Sequence, residues 1–163
     1  MTNRHSHPFL IAALLIAGPA AAIEVSDHMT PCAVAQALGA ELTLLSGYAP
    51  PATCPRITRS LPAAGTNPEA QLGEYLPDSG TIALAADLDL TTAWGQSVLL
   101  HELVHLAQHR DNGLPDCRAA MEYEAYAAQA AYLRRNGHER DAVMLYVFGA
   151  LVSTCGNPEP WMD

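Results

Sequence analysis

Val34, Leu38, Leu42 and Leu45 recur at helical spacing behind Thr30-Pro31, which offers an N-cap and a proline at the first helical position. That pattern predicts one helix running to about Ser46-Gly47. From Tyr48 to Pro77 the chain is dense in Pro and Gly, so it reads as loop with one short strand around residues 56–61. Ile82, Leu84, Ala86 and Leu88 then alternate at period two, which predicts a strand over 81–86. Asp89 to Thr92 supply helix-start chemistry for a helix reaching about Arg110. Asp111-Asn112-Gly113 and Pro115 form a turn. An Ala-rich helix follows over about 116–135 and stops at Asn136-Gly137, and another covers roughly 139–152. There are no internal repeats. The expected fold is one α+β domain, mainly helical, with a small sheet.

The first 22 residues follow a different pattern. Arg4 precedes the uninterrupted apolar run Phe9 to Ala17, Gly18-Pro19 breaks it, and Ala20-Ala21-Ala22 has the small residues of a signal-peptidase site. The run is too short for a membrane span, which needs about 20 apolar residues. We therefore read residues 1–22 as a signal peptide and 23–163 as the working domain, exported to a periplasm or secreted, with no membrane span after cleavage.

The 163-residue chain has 50% hydrophobic and 15% charged residues, which excludes disordered and coiled-coil classes. Its eight basic residues are all Arg and face 17 acids, a net charge of −9. Without Arg4 the remaining seven Arg leave the domain at −10. Nucleic-acid binding needs clustered cations, so no nucleic-acid partner is expected. Four Cys in an exported chain read as two disulfides. No Cys-x-x-Cys spacing supports a zinc cluster instead. Of the three possible connectivities, Cys32–Cys54 and Cys117–Cys155 keep each bridge within one half of the chain.

The helix expected after the strand carries His101-Glu102-Leu103-Val104-His105, an H-E-x-x-H sequence. Residues i and i+4 share a helix face with Cβ atoms about 5–6 Å apart, so two imidazoles can converge on one zinc. Glu102 lies about 100° around the helix, beside the metal rather than on it. That is the place for a general base acting on water. A catalytic zinc takes a third protein ligand. The next helix offers Glu122 and Glu124, which differ by about 200° and cannot both face the metal.

At this point the sequence resembles the gluzincin metallopeptidases, in which H-E-x-x-H is completed by a Glu on a following helix, in several branches within Glu-x-x-Ala-Asp. Residues 122–125 match the first four positions, and the resemblance implies Glu122 as the third ligand. Tyr126 stands where the family often has the Asp that orients a metal-bound His, so that partner is unassigned. Tyr126 and Gln129 share the helix stripe of Glu122 and so can face the site, while Glu124 reads more simply as a solvated carboxylate. The similarity spans about residues 80–135 and implies a zincin-like fold of minimal size, with 81–86 as an edge strand beside the cleft. A metzincin arrangement is disfavoured: Asp111 occupies its last ligand position, but Gln108 stands where Gly must let the chain turn. His109 lies about 12 Å along the helix from His101, too far to share a metal.

The sequence thus predicts a zinc metallopeptidase acting on a peptide or protein substrate. His101, His105 and Glu122 would hold Zn²⁺, and Glu102 would serve as base. Tyr126, Tyr146 and His138 qualify by residue type as oxyanion donors. The rival readings are a non-catalytic zincin-fold binding or effector module, and a zinc hydrolase of a non-peptide amide in the cell envelope.

Overall fold

The computed structural model describes residues 23–26, 28–67 and 70–155. Residues 1–22, expected from the sequence to be a signal peptide, lie outside them. Among the described residues, five α-helices, one 3₁₀ turn and a three-stranded sheet form an α+β fold. Both disulfides pair as the chain order suggested, Cys32 with Cys54 and Cys117 with Cys155, at Cα separations of 5.7 and 5.9 Å. Among the described residues, no helix is long and apolar enough to cross a membrane.

The first expected helix is two. Helix α1 (Pro31–Ala37) starts under Thr30, whose Oγ1 accepts the Ala33 N–H at 3.2 Å. A one-residue turn at Leu38 separates it from α2 (Gly39–Ser46). Gly39 sits at this break with its Cα against Pro50, where an added Cβ would come within 3.2 Å of the proline ring. The apolar stripe survives the break, since Val34, Leu38 and Leu42 are all fully buried.

Strand β1 (Arg56–Leu61) runs parallel to β3 (Thr81–Ala85), with Arg56 opposite Thr81 and Ile57 opposite Ile82. A strand not expected from the sequence, β2 (Gly73–Leu76), pairs antiparallel with the other side of β3. The order is therefore β1-β3-β2. Residues 81–85 are the central strand and not an edge. All five are buried, because Ala83 and Ala85 are small enough for both faces to be covered. The edge nearest the motif helix is β2, which packs against it.

Helix α3 (Ala93–Asn112) starts at Thr92, whose Oγ1 accepts the Gly95 N–H at 3.0 Å. Gly95 has no substitute here: a Cβ would lie 1.9 Å from the Asp89 carbonyl oxygen. From Gly95 to His105 every residue of α3 is buried. Leu99, Leu100, Leu103 and Val104 join Ile82 and Leu84 of the sheet in the main core. A 3₁₀ turn (Arg118–Met121) replaces the first turn of the second expected helix, so α4 (Glu122–Arg135) begins at Glu122 itself. Helix α5 (Glu139–Val152) folds back along α4 after Gly137, whose φ of 82° makes the turn.

Candidate metal centre

Two neighbouring helices build the site. His101 and His105 project one turn apart from α3, and both are buried. Glu122 enters from the first residue of α4, where the exposed N–H groups of a helix start favour a carboxylate. The His101 and His105 Nε2 atoms lie 3.0 Å apart. Glu122 spans them, with Oε2 3.4 Å from His101 Nε2 and Oε1 3.5 Å from His105 Nε2. Ligand atoms of the three residues all lie within 4.8 Å of one another. Bonds of about 2.0–2.1 Å around a tetrahedral ion place ligand atoms about 3.3 Å apart, so these separations suit such an ion.

The proton positions point the same way. Gln108 Nε2 donates to the Met121 carbonyl at 3.0 Å and to Glu124 Oε2 at 2.9 Å, both pure acceptors. Its amide orientation is thereby set, and its Oε1 must accept from His105 Nδ1 at 2.9 Å. Gln129 is oriented similarly. Its Nε2 donates to Ser97 Oγ, whose own proton goes to the Trp94 carbonyl, so Gln129 Oε1 accepts from His101 Nδ1 at 3.1 Å. With both Nδ1 atoms donating, each Nε2 of a neutral imidazole is left as the atom that can present a lone pair to a metal ion. In that state the two Nε2 atoms and the Glu122 carboxylate, 3.0–3.5 Å apart, form an acceptor cluster that could hold a metal ion.

The charges respond to this crowding. Burial opposes ionisation of Glu122, but when the imidazoles are protonated the hydrogen bonds and charges of His101 and His105 outweigh it and hold the carboxyl far below the usual range. Burial likewise disfavours protonated His105, yet the Glu122 hydrogen bond and the Glu102 and Glu122 charges push its pKa above the ordinary value. Glu102 is buried, and burial raises its pKa, partly offset by His101 and His105. The Tyr75 N–H of β2 donates to its carboxylate. Gly73, two residues earlier, leaves room for it: a Cβ there would lie 2.7 Å from Glu102 Oε1.

Tyr126 makes no hydrogen bond to His101. Its ring meets the His101 ring edge-on at 4.5 Å, and the His101 partner is instead Gln129. Burial, then the Glu122 and Glu102 charges, push the Tyr126 phenol far above its ordinary pKa, so it keeps its proton. Glu124 turns away from the His pair and accepts from Tyr48 Oη and Gln108. His109 pairs with Tyr75 Oη at 2.8 Å, and Asp111 with Arg110. Tyr146 bonds Tyr123, and His138 lies 3.7 Å from Asp141. Gln108 is the residue the sequence does not point to, whereas Gln129 lies on the stripe expected to face the site and does so through His101. Gln129 shared the stripe of Glu122, and Gln108 follows His105 by three positions, but neither spacing reveals a hydrogen bond.

A family described as a domain of unknown function (DUF6647) matches residues 51–159, a span that includes the sheet, α3, α4 and α5. No curated protein and no solved structure matches the chain.

Proposed function

We propose that this chain, which belongs to the DUF6647 family, is an exported zinc metallopeptidase with a zincin-like core. The observation that carries this reading is the convergence of His101 Nε2, His105 Nε2 and the Glu122 carboxylate, with buried Glu102 beside them. Two imidazoles and one carboxylate are the donor set of a catalytic zinc site with an open position. A zinc ion held there would polarise a carbonyl and make water acidic enough to deprotonate near neutrality.

Glu102 takes the proton of the attacking water and hands it to the departing amine. Tyr126, protonated and ring-to-ring with His101, is the best-placed donor for the developing oxyanion. Gln108 and Gln129 hold the imidazoles in the tautomer that leaves Nε2 free. The two disulfides and the leader-like start of the sequence support export.

The test is cleavage of a broad peptide library by the zinc-loaded protein beside its Glu102→Gln variant. Cleavage that Glu102→Gln abolishes, with zinc retained, supports the assignment. Equal cleavage by both would remove Glu102 as the base, and no cleavage of any peptide would remove the peptidase reading.

A further inference from the structure

Beyond its charged first turn, helix α5 is apolar on every side. From Val143 to Val152 it contains no charged residue. One face packs on α4 through Ala142, Leu145 and Gly149, the last so close to Tyr126 that a Cβ would lie 2.4 Å from the tyrosine Cβ. The opposite face carries Met144, Val147 and Leu151, which are 62%, 53% and 66% exposed. Val143, Tyr146 and Phe148 flank them and are also exposed. A helix that is hydrophobic all round belongs in an interior, yet among the described residues nothing covers this side.

We infer that this face of α5 is the interface of a homodimer, with α5 of one copy packed against α5 of a second across a two-fold axis. Met144, Val147 and Leu151 follow the i, i+3, i+7 spacing of a coiled-coil seam, which pairs with a copy of itself. The six side chains expose on the order of 600 Å² of apolar surface, at the upper end for a monomer. A stable dimer buries about 800 Å² per partner, roughly 65% of it apolar or about 520 Å², so this face is large enough to supply the apolar share. An anionic bilayer is a poorer occupant, because the chain carries a net charge of −9 and has no basic cluster on α5 beyond Arg140. Phe148, at the edge of the face, stacks on Tyr126 at 5.3 Å, and Tyr126 stacks on His101. The second copy would therefore stand two rings from the metal centre.

The test is sedimentation equilibrium of the protein, expressed from the full chain with export so that its disulfides form, at 1–50 μM (roughly the range over which a dimer of this size resolves). The expected result is a dimer for the wild type and a monomer for Val147→Glu, with helicity and zinc content unchanged. Leu44→Glu, exposed on α2, should leave the dimer intact. Val147→Cys provides a second reading should Val147→Glu fail to fold: mild oxidation should join two copies through this residue. A monomeric wild type would overturn the inference, and so would a dimer that persists in Val147→Glu. A wild-type monomer that floats with phosphatidylglycerol vesicles would also overturn it, assigning the face to a membrane.

Discussion

Gly73→Ala tests how tightly the proposed base is held. The three atoms nearest to an added Cβ all belong to Glu102: Oε1 at 2.7 Å, Cγ at 2.9 Å and Cδ at 3.1 Å. Restoring ordinary contact requires a retreat of about 0.7 Å. Glu102 is 5% exposed and its carboxylate accepts the Tyr75 N–H, so it cannot swing into solvent without losing that bond. Either the carboxylate moves or β2 does. Overpacking of this kind costs about 1–3 kcal/mol, and displacing a reacting group by about 1 Å can cost a factor of about 100 in rate. We expect Gly73→Ala to lower the melting temperature by several degrees and kcat by about 30- to 100-fold, with zinc content unchanged. The paired measurement is the double variant Gly73→Ala/Glu102→Ala, in which the offending side chain is gone. Its melting temperature should recover to that of Glu102→Ala or better. A Gly73→Ala protein with full activity and an unshifted melting temperature would show that Glu102 withdraws freely, and the argument for a pre-positioned base would fail.

Gln129→Leu leaves His101 Nδ1 without its acceptor, so zinc affinity measured against a chelator should fall about 10- to 100-fold. Gln129→Glu restores an acceptor and should bind zinc at least as tightly as the wild type; equal loss in both would argue against a role for this hydrogen bond. Asp87 gives a pH-dependent outcome away from the site. Its carboxylate accepts the Gly65 and Ala64 N–H groups at 2.8 Å each, and these bonds hold its pKa below the ordinary value. A depressed pKa stabilises the fold above the unfolded value of about 3.9 and ceases to do so as the pH falls through the folded one. Asp87→Ala should therefore lower the melting temperature by a constant amount from pH 7 to about 5, and the gap should close below about pH 4. A gap independent of pH would contradict this.

Local patterns were legible where one side chain or one period decides the outcome. The N-cap at Thr92, the stop at Asn136-Gly137 and the His101/His105 pair on one face of α3 follow directly from spacing. The disulfides paired in chain order because each closes a loop within one half. The exact start of α4 was not legible. Its N-terminus was expected near residue 116, but the bridged Cys117 and a 3₁₀ turn delay it to Glu122. Strand β2 is only four residues long and is hidden among prolines and glycines. Its signal was the turn Pro77-Asp78-Ser79-Gly80, which closes a hairpin onto Thr81 with Gly80 at φ 62°. Reading that turn would also have moved residues 81–85 from the edge of the sheet to its centre. Gln129 was legible as a residue of the site-facing stripe, but its hydrogen bond, like that of Gln108, was out of reach for a different reason. A buried amide finds its role only when α3 and α4 are brought together, and 28 residues separate His101 from Gln129.

The most direct test of the account is the metal content of the protein after gentle purification, measured beside Glu122→Ala and Glu124→Ala. About one zinc per chain is expected for the wild type and for Glu124→Ala, with little or none for Glu122→Ala. A wild-type protein that carries no metal and binds none on titration would contradict the central claim. So would loss of zinc from Glu124→Ala alone.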